Sequence, residues 1–563
     1  MRLMSIMEWL PNYRRENFRF DLIAGVTVAA LVVPKSLGYA GIAQVPIQNG
    51  LYAAAAAALL YALFGTSKQI ATGPSSALAA VAASAVVTSG LTGEDAPQLV
   101  AAVTLTAGVL FLLLAVFKMG WLSQFLSKAV ITGFLFGAAI EVVTGELPKI
   151  TGTDAEGEDT WQKFDSWLDG VEGYDGTTLL VGLVSLVAIV GIRFLVPKVP
   201  GALVLVVGGL LAAALFDLAD EGVATVGDVP RGLPALDLPG WSVFSENFDT
   251  IIVAALALLL IGFSQTAGDA RSFASRHGYR VDVNQESVAQ GFANLGSGAF
   301  QGIPVSTSLS ASSLNDSSGA RTQMASVVTG VVVVLTLLLF APLFSDLPKP
   351  VLAAIIIDAV VFGMMDVAEM RRLWRVSRAD FWIAIAAILG VLSAGVLAGV
   401  IIGIILSLGW LVWVNVNPET HELGRRPGTT TFRSLDAFPD GETYPGVLVM
   451  RFDGGLYFVT TETLGDWLRE HLVLAEEPID HVVLDLEAVN FMDSQGAGEL
   501  GRMVDVATDR AISVDLARVK ADVREILEAD RFVARIGEDH VHASVDDAVN
   551  AVLARREAPD ASS

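Results

Sequence analysis

The sequence predicts a polytopic α-helical membrane protein of about 14 spans built as a 7+7 inverted repeat, followed by a cytoplasmic α/β domain. Three observations carry this prediction. Of the 563 residues 53% are hydrophobic and 17% charged, where a soluble domain has about a quarter charged; mean hydropathy is +0.57. The apolar residues come in charge-free blocks such as Ala53 to Leu63, Val331 to Phe340 and Ile401 to Trp413, and about 20 such residues cross a bilayer as a helix. Two short Pro-Ser segments recur at matched positions, opening the third and the tenth span.

Spans one to seven are expected near 21–44, 49–65, 75–90, 98–117, 124–145, 177–196 and 200–218. Spans eight to fourteen fall near 249–270, 285–301, 306–317, 323–344, 349–365, 379–394 and 396–415. Spans three and ten are too short and polar to cross alone and read as half-helices. Charge supports the count. With Arg14, Arg15 and Arg19 placed inside, the connections that fall inside hold Lys68, Lys118 and Lys128, then Arg193 and Lys198, Arg271 to Arg280, Arg321, and Arg371 to Arg378. Those that fall outside hold Glu94 and Asp95, Asp154 to Asp175, and Asp217 to Asp249. Cytoplasmic loops collect Lys and Arg in this way. Both termini are therefore expected in the cytoplasm, with the chain multi-pass in the inner (plasma) membrane.

Residues 1–20 read as a cytoplasmic interfacial segment, Trp9, Leu10 and Phe18 being interleaved with Arg14, Arg15 and Arg19. The transmembrane domain is expected over 21–416 and a Pro-rich linker over 417–445. An α/β domain over 446–556 has strands at Val447 to Phe452, His481 to Leu486 and Ala511 to Leu516. Its helices are expected at Thr461 to Leu472, Gly496 to Thr508 and Ala521 to Ala529, and a disordered tail over 557–563.

Composition also excludes functions. There is no cysteine, hence no disulfide or thiolate site. The six histidines, His277, His421, His471, His481, His540 and His542, lack metal-ligand spacing and read as single surface residues. A formal charge of −24 argues against nucleic acid. No catalytic set and no cofactor motif is visible.

The chemistry concentrates in the half-helices. Gly73-Pro74-Ser75-Ser76 and Ile303-Pro304-Val305-Ser306-Thr307-Ser308 each read as a loop, a proline and a hydroxyl-rich helix start. A helix start has several N–H groups without intrahelical acceptors and about half a positive charge from the macrodipole. Two such starts meeting at membrane depth make an anion site, with Ser75, Ser76, Ser306, Thr307 and Ser308 as added donors. Lys35, inside span one, marks a functional position, and Tyr39 lies one turn on, on the same face.

Val33 to Ala40, Gly73 to Leu78 and Asn284 to Gly319 resemble the SulP family of anion transporters; Asn284-Gln285-Glu286, Gln290-Gly291, Asn294, Gly302, Pro304 and Gly319-Ala320-Arg321-Thr322 follow the family pattern in order. The C-terminal domain resembles the family's STAS domain. The resemblance implies a core bundle (spans one to four and eight to eleven), a gate bundle (the rest), elevator-like alternating access and a homodimer.

Three positions depart from that pattern. Lys35 stands where the family often has Gln, and Ala311 where it often has Arg, so the positive charge has changed walls. Gln265 replaces a carboxylate linked to proton or sodium coupling, leaving Asp269, one turn on, as the substitute or as a solvated acid pairing with Arg271 or Arg276. Glu141, in span five, is an intramembrane acid without a visible partner. In the STAS-like domain Gln495 occupies the position of a phosphorylatable serine, leaving Asp493 and Ser494 as regulatory positions. The expected function is secondary transport of a small inorganic anion, sulfate or bicarbonate. An uncoupled exchanger, an anion channel, a dicarboxylate transporter and a non-transporting sensor stand as alternatives.

Overall fold

A computed structural model describes residues 9–11, 13–91, 93, 95–119, 127–154, 157, 160–197, 199–474 and 478–557. Glu94, Lys198, the expected start of span five at 124 and the tail beyond residue 557 lie outside the described residues. The chain divides into two units, residues 1–407 and 408–563.

The first unit begins with α1 (Phe18–Ile42), α2 (Ile47–Phe64), β1 (Thr72–Pro74), α3 (Ser76–Ser89), α4 (Asp95–Val116) and α5 (Lys128–Thr151). It continues with α6 (Thr160–Asp169), α7 (Gly176–Leu195), α8 (Gly201–Phe216) and α9 (Trp241–Glu246). The order then recurs as α10 (Phe248–His277), α11 (Val283–Ala299), β2 (Val305–Thr307), α12 (Leu309–Ser317), α13 (Met324–Leu339) and α14 (Lys349–Met364). The amphipathic α15 (Val367–Val376) and α16 (Arg378–Val416) follow. Each expected span coincides with a helix, and among the described residues eight helices are long and apolar enough to cross a membrane. Spans thirteen and fourteen form one assigned helix, broken at Ala394 and at Gly395, whose φ is +82°. Of the expected interfacial segment, residues 1–8 and 12 lie outside the described residues, and the described part holds a 3-10 turn at Arg15–Asn17. Trp9 pins the segment, its indole donating to the Ala62 carbonyl at 2.8 Å.

Two bundles result. In one, α11 packs on α4 and α2, α13 on α1 and α2, and α10 on α4 and α3; in the other, α14 packs on α5 and α7. Small residues set the close approaches. At Gly50 a Cβ would lie 1.9 Å from the Ser36 carbonyl oxygen, so α1 and α2 touch backbone to backbone, as membrane helices do through small residues.

Buried polar side chains hold the non-helical segments. Glu286 is fully buried; it accepts from the Thr66 and Ser67 amides (2.9 and 3.0 Å), from the Thr66 hydroxyl and from Tyr61. Asp21 likewise accepts from the Arg321 and Thr322 amides (2.7 and 3.1 Å) and the Thr322 hydroxyl. Each carboxylate satisfies chain that would otherwise leave amides unpaired away from water.

The second unit holds one six-stranded sheet in the order β4-β3-β5-β6-β7-β8, built from β3 (Glu419–Arg425), β4 (Phe432–Ser434), β5 (Val447–Asp453), β6 (His481–Asp485), β7 (Ser513–Ala517) and β8 (Val541–His542). Strands β5 to β8 run parallel, whereas β3 is antiparallel to β4 and β5. Helices α17 (Thr461–Leu474), α18 (Ser494–Asp509), α19 (Ala521–Ala529), α20 (Phe532–Ile536) and α21 (Val545–Glu557) complete it. Much of the expected linker is thus sheet: Pro418 and Pro427 flank β3 rather than interrupt it, which leaves its ladder intact. His540 and His542 are not isolated surface residues, since both face the buried Asp515 (3.3 and 2.8 Å) beside Arg555.

Two stability effects follow. Glu286→Ala should cost about 3 kcal/mol by stranding buried donors, read as a lower unfolding temperature of the purified protein in detergent; an unchanged temperature would contradict the scaffolding role. Burial holds the His481 imidazole below its ordinary 6.5, and its Nδ1 has no hydrogen-bond partner among the described residues. The unfolded chain then binds that proton more readily, so the stabilisation is present above 6.5 and lost as pH falls below it. His481→Gln should flatten this part of the pH dependence in denaturant unfolding followed through the C-terminal domain.

Candidate anion site

The two half-helices meet through backbone. β1 and β2 form an antiparallel pair with Thr72 opposite Thr307, Gly73 opposite Ser306 and Pro74 opposite Val305. α3 and α12 start directly after the strands, with Ser75 and Ser308 as extended N-cap residues. Ser75 makes no side-chain cap, which leaves the first amides of α3 free of side-chain acceptors. The Ser308 hydroxyl accepts from the Ala311 amide at 3.4 Å. The Ser308 amide donates to Ala71 O (3.1 Å) and the Ala71 amide to the Ser312 hydroxyl (3.0 Å), stitching α12 to the strand before α3.

The prolines differ from expectation. Pro74 ends β1 and Pro304 precedes β2, rather than occupying the first helical turn. An extended edge position suits a residue with fixed φ and no N–H.

Beside this junction lies a cavity of about 20 Å³ lined by Lys35, Ser36, Tyr39, Gly73, Pro74 and Ser308, with apolar groups of α1 and α2 around them. That is room for a water-sized group. Lys35 Nζ donates to the Ser310 hydroxyl at 3.2 Å, and Ser310 lies 3.3 Å from the Ser308 hydroxyl. Tyr39 engages the Ser76 side chain. Lys35, Tyr39, Ser76 and Ser308 are therefore brought together, with Ser75 at the adjoining helix start.

Ser306 and Thr307 are not. The Ser306 hydroxyl donates to Gly262 O (3.3 Å) and the Thr307 hydroxyl to Asp269 (2.8 Å), so these two fasten β2 to α10. The scaffold continues in Asn294, which donates to Val305 O (2.9 Å) and accepts from the Val305 amide (3.0 Å), and in Gln290, which donates to Thr72 (3.1 Å).

A model of the sulfate permease family matches residues 18–387, and a STAS-domain model matches residues 439–548. The chain belongs to the sulfate permease family. A probable sulfate transporter of Mycobacterium tuberculosis (strain CDC 1551 / Oshkosh) is 32% identical over 563 residues, covering 98% of this chain and 99% of the relative. The chloroplastic sulfate transporter 4.1 of Arabidopsis thaliana is 29% identical, covering 98% and 82%. Among solved structures, SLC26A9 has a TM-score of 0.87 at 22% identity, over 98% of this chain and 93% of that one. The transmembrane domain of a cyanobacterium bicarbonate transporter, BicA, has 0.59 at 22% identity, over 70% and 99%. At these identities the two structures speak for fold.

In this sulfate permease family member, Asp269 takes Thr307 as partner rather than Arg271 or Arg276, while Arg276 and His277 pair with Asp316 (3.4 and 2.8 Å). Gln265 keeps an enclosed Oε1 without a hydrogen-bond partner. Sequence reasoning missed Ser310 and the bidentate pair between Arg193 of α7 and Asp358 of α14, whose Nε–Oδ1 bond is 2.8 Å. Arg193 also lies over the Phe362 ring at 4.5 Å. Asp358 within span twelve was the available signal, being an acid inside an apolar run.

In the STAS domain Asp493 is a structural cap. Its Oδ1 accepts from the Gly496 amide at 2.7 Å and its Oδ2 from the Phe458 amide at 3.1 Å. Ser494 and Gln495 are exposed on the first turn of α18. Asp493→Ala should destabilise the domain by about 1 kcal/mol, measured by denaturant unfolding; no loss would leave the cap without energetic weight.

Proposed function

We propose that the chain is a secondary active transporter of a small inorganic oxyanion, sulfate or bicarbonate, working by elevator-type movement of one bundle against the other within a homodimer of the inner membrane, both termini cytoplasmic. The observation that carries this reading is the tip-to-tip arrangement of two half-helix starts, locked by the β1–β2 pair, with Lys35 reaching across to α12. Helix-start amides, hydroxyls and one ammonium form a site that favours a compact anion. Full-length relatives named as sulfate transporters favour sulfate; the bicarbonate reading draws on the fold shared with BicA.

The site provides two ways of running the cycle. Asp269, held by Thr307 at β2, is a carboxylate next to the half-helix and the natural place for a coupled proton or sodium ion. Gln265, which cannot titrate, supports the second reading, an uncoupled exchanger.

Proteoliposomes loaded with the purified protein should take up labelled sulfate or bicarbonate. Repeating the assay with and without sodium and pH gradients separates coupled from uncoupled transport, and currents far above carrier turnover would indicate a channel. Lys35→Gln should weaken anion binding at least about tenfold, equivalent to ~1.4 kcal/mol, with the folded protein intact by size-exclusion chromatography. Unchanged affinity in that variant would remove Lys35 from the site.

A further inference from the structure

A second polar cavity, of about 290 Å³, lies along the seam between the two bundles. One wall is the end of α1 and the turn after it (Gly41, Ile42, Gln44) with Ala80 and Ala83 of α3; the other is α5 from Glu141 to Lys149, Lys163 of α6 and Val396 at the break in α16. In the topology read from charge this is the outer half of the membrane.

Two α5 carboxylates line it and their surroundings differ. Glu146 is buried, and its Oε1 accepts from the Lys149 ammonium at 2.6 Å. Glu141 and Glu146 each keep an enclosed Oε2 with no hydrogen-bond partner among the described residues, and Glu141 lacks the lysine ion pair that Glu146 has. Lys163 faces the same cavity from α6 and acts on the Glu141 carboxylate electrostatically, without a direct ion pair among the described residues. From the turn after α1 the one polar lining group is Gln44, while α3 and α16 present only Ala80, Ala83 and Val396. An ionised carboxylate enclosed among such groups carries a penalty of several kcal/mol, whereas a neutral acid is tolerated.

We propose that Glu141 is a proton-binding site at the bundle seam, and that taking up a proton there allows the seam to close. The carboxylate gains one proton from the outer solution and becomes a neutral acid that α3 can cover; losing it restores a charge that draws water in and holds the seam open. A metal cation is not the expected occupant: among the described residues no group of three or more His, Asp or Glu side chains gathers here to hold one. The assignment goes beyond anion transport, and only its functional arm rests on that reading.

The test uses the purified full-length protein in lipid vesicles. Infrared difference spectra between acidic and neutral pH should show a carboxylic acid carbonyl band in the unmodified protein and in Glu141→Asp, and lose that band in Glu141→Gln, which is isosteric with the protonated acid. Labelled-anion exchange should vary with external pH in the first two and stay at its acid-side value at every pH in Glu141→Gln. A Glu141→Gln spectrum identical to that of the unmodified protein, an unchanged pH profile, or a band that moves when sodium replaces potassium would each overturn the proposal. Vesicles that exchange no anion would defeat the transport reading alone, and the infrared arm would still decide the proton site.

Discussion

Everything in the membrane unit depends on one constraint: backbone that leaves the helix inside a bilayer must find partners for its amides and carbonyls within the protein. The chain meets it by letting two irregular segments satisfy each other. Thr72 to Pro74 and Val305 to Thr307 form a ladder of three residue pairs, too short to be stable on its own. It persists because side chains from other helices complete it: Asn294 bonds both backbone groups of Val305, Gln290 bonds Thr72, and Gln323 donates to Ile70 O at 3.1 Å. Of the helix starts that follow, α12 is capped by Ser308 while Ser75 caps nothing on α3, and it is at these starts that we propose an anion is held.

This division of labour explains the residues that carry the family resemblance. Gln285 bonds the Phe64 carbonyl (2.9 Å), Glu286 holds the turn after α2, and Asn294 and Gln290 hold the ladder. Gly302 lies where a Cβ would come 2.9 Å from Ala53 backbone. The stretch from Gln285 to Gly302 therefore builds the frame and does not line the cavity, which draws on other parts of the family-like segments. The cavity is lined instead by Lys35, Tyr39 and Ser308, together with backbone at Gly73 and Pro74.

Much of this was legible in the sequence because membranes impose a coarse grammar. Helix positions followed from apolar runs, the half-helices from their shortness and their Pro-Ser openings, and Lys35 from a charge placed inside an apolar run. Side-chain direction was not legible. Ser306 and Thr307 looked like anion donors by composition, yet both hydroxyls are spent on α10. The Arg193–Asp358 pair joins residues 165 apart in sequence, a separation that no local pattern encodes. The strands at 419–425 and 432–434 were hidden by prolines that turned out to flank them.

A trap made largely of main chain has few side chains to lose. Because β1 and β2 recognise each other through groups common to every residue type, the identity of the cationic group beside them is free to drift without dismantling the pocket. Here the ammonium comes from α1 and reaches α12 at Ser310, next to an alanine. For the anion site we propose, single substitutions on the surrounding walls would retune the preferred solute while the β1–β2 frame stays where it is.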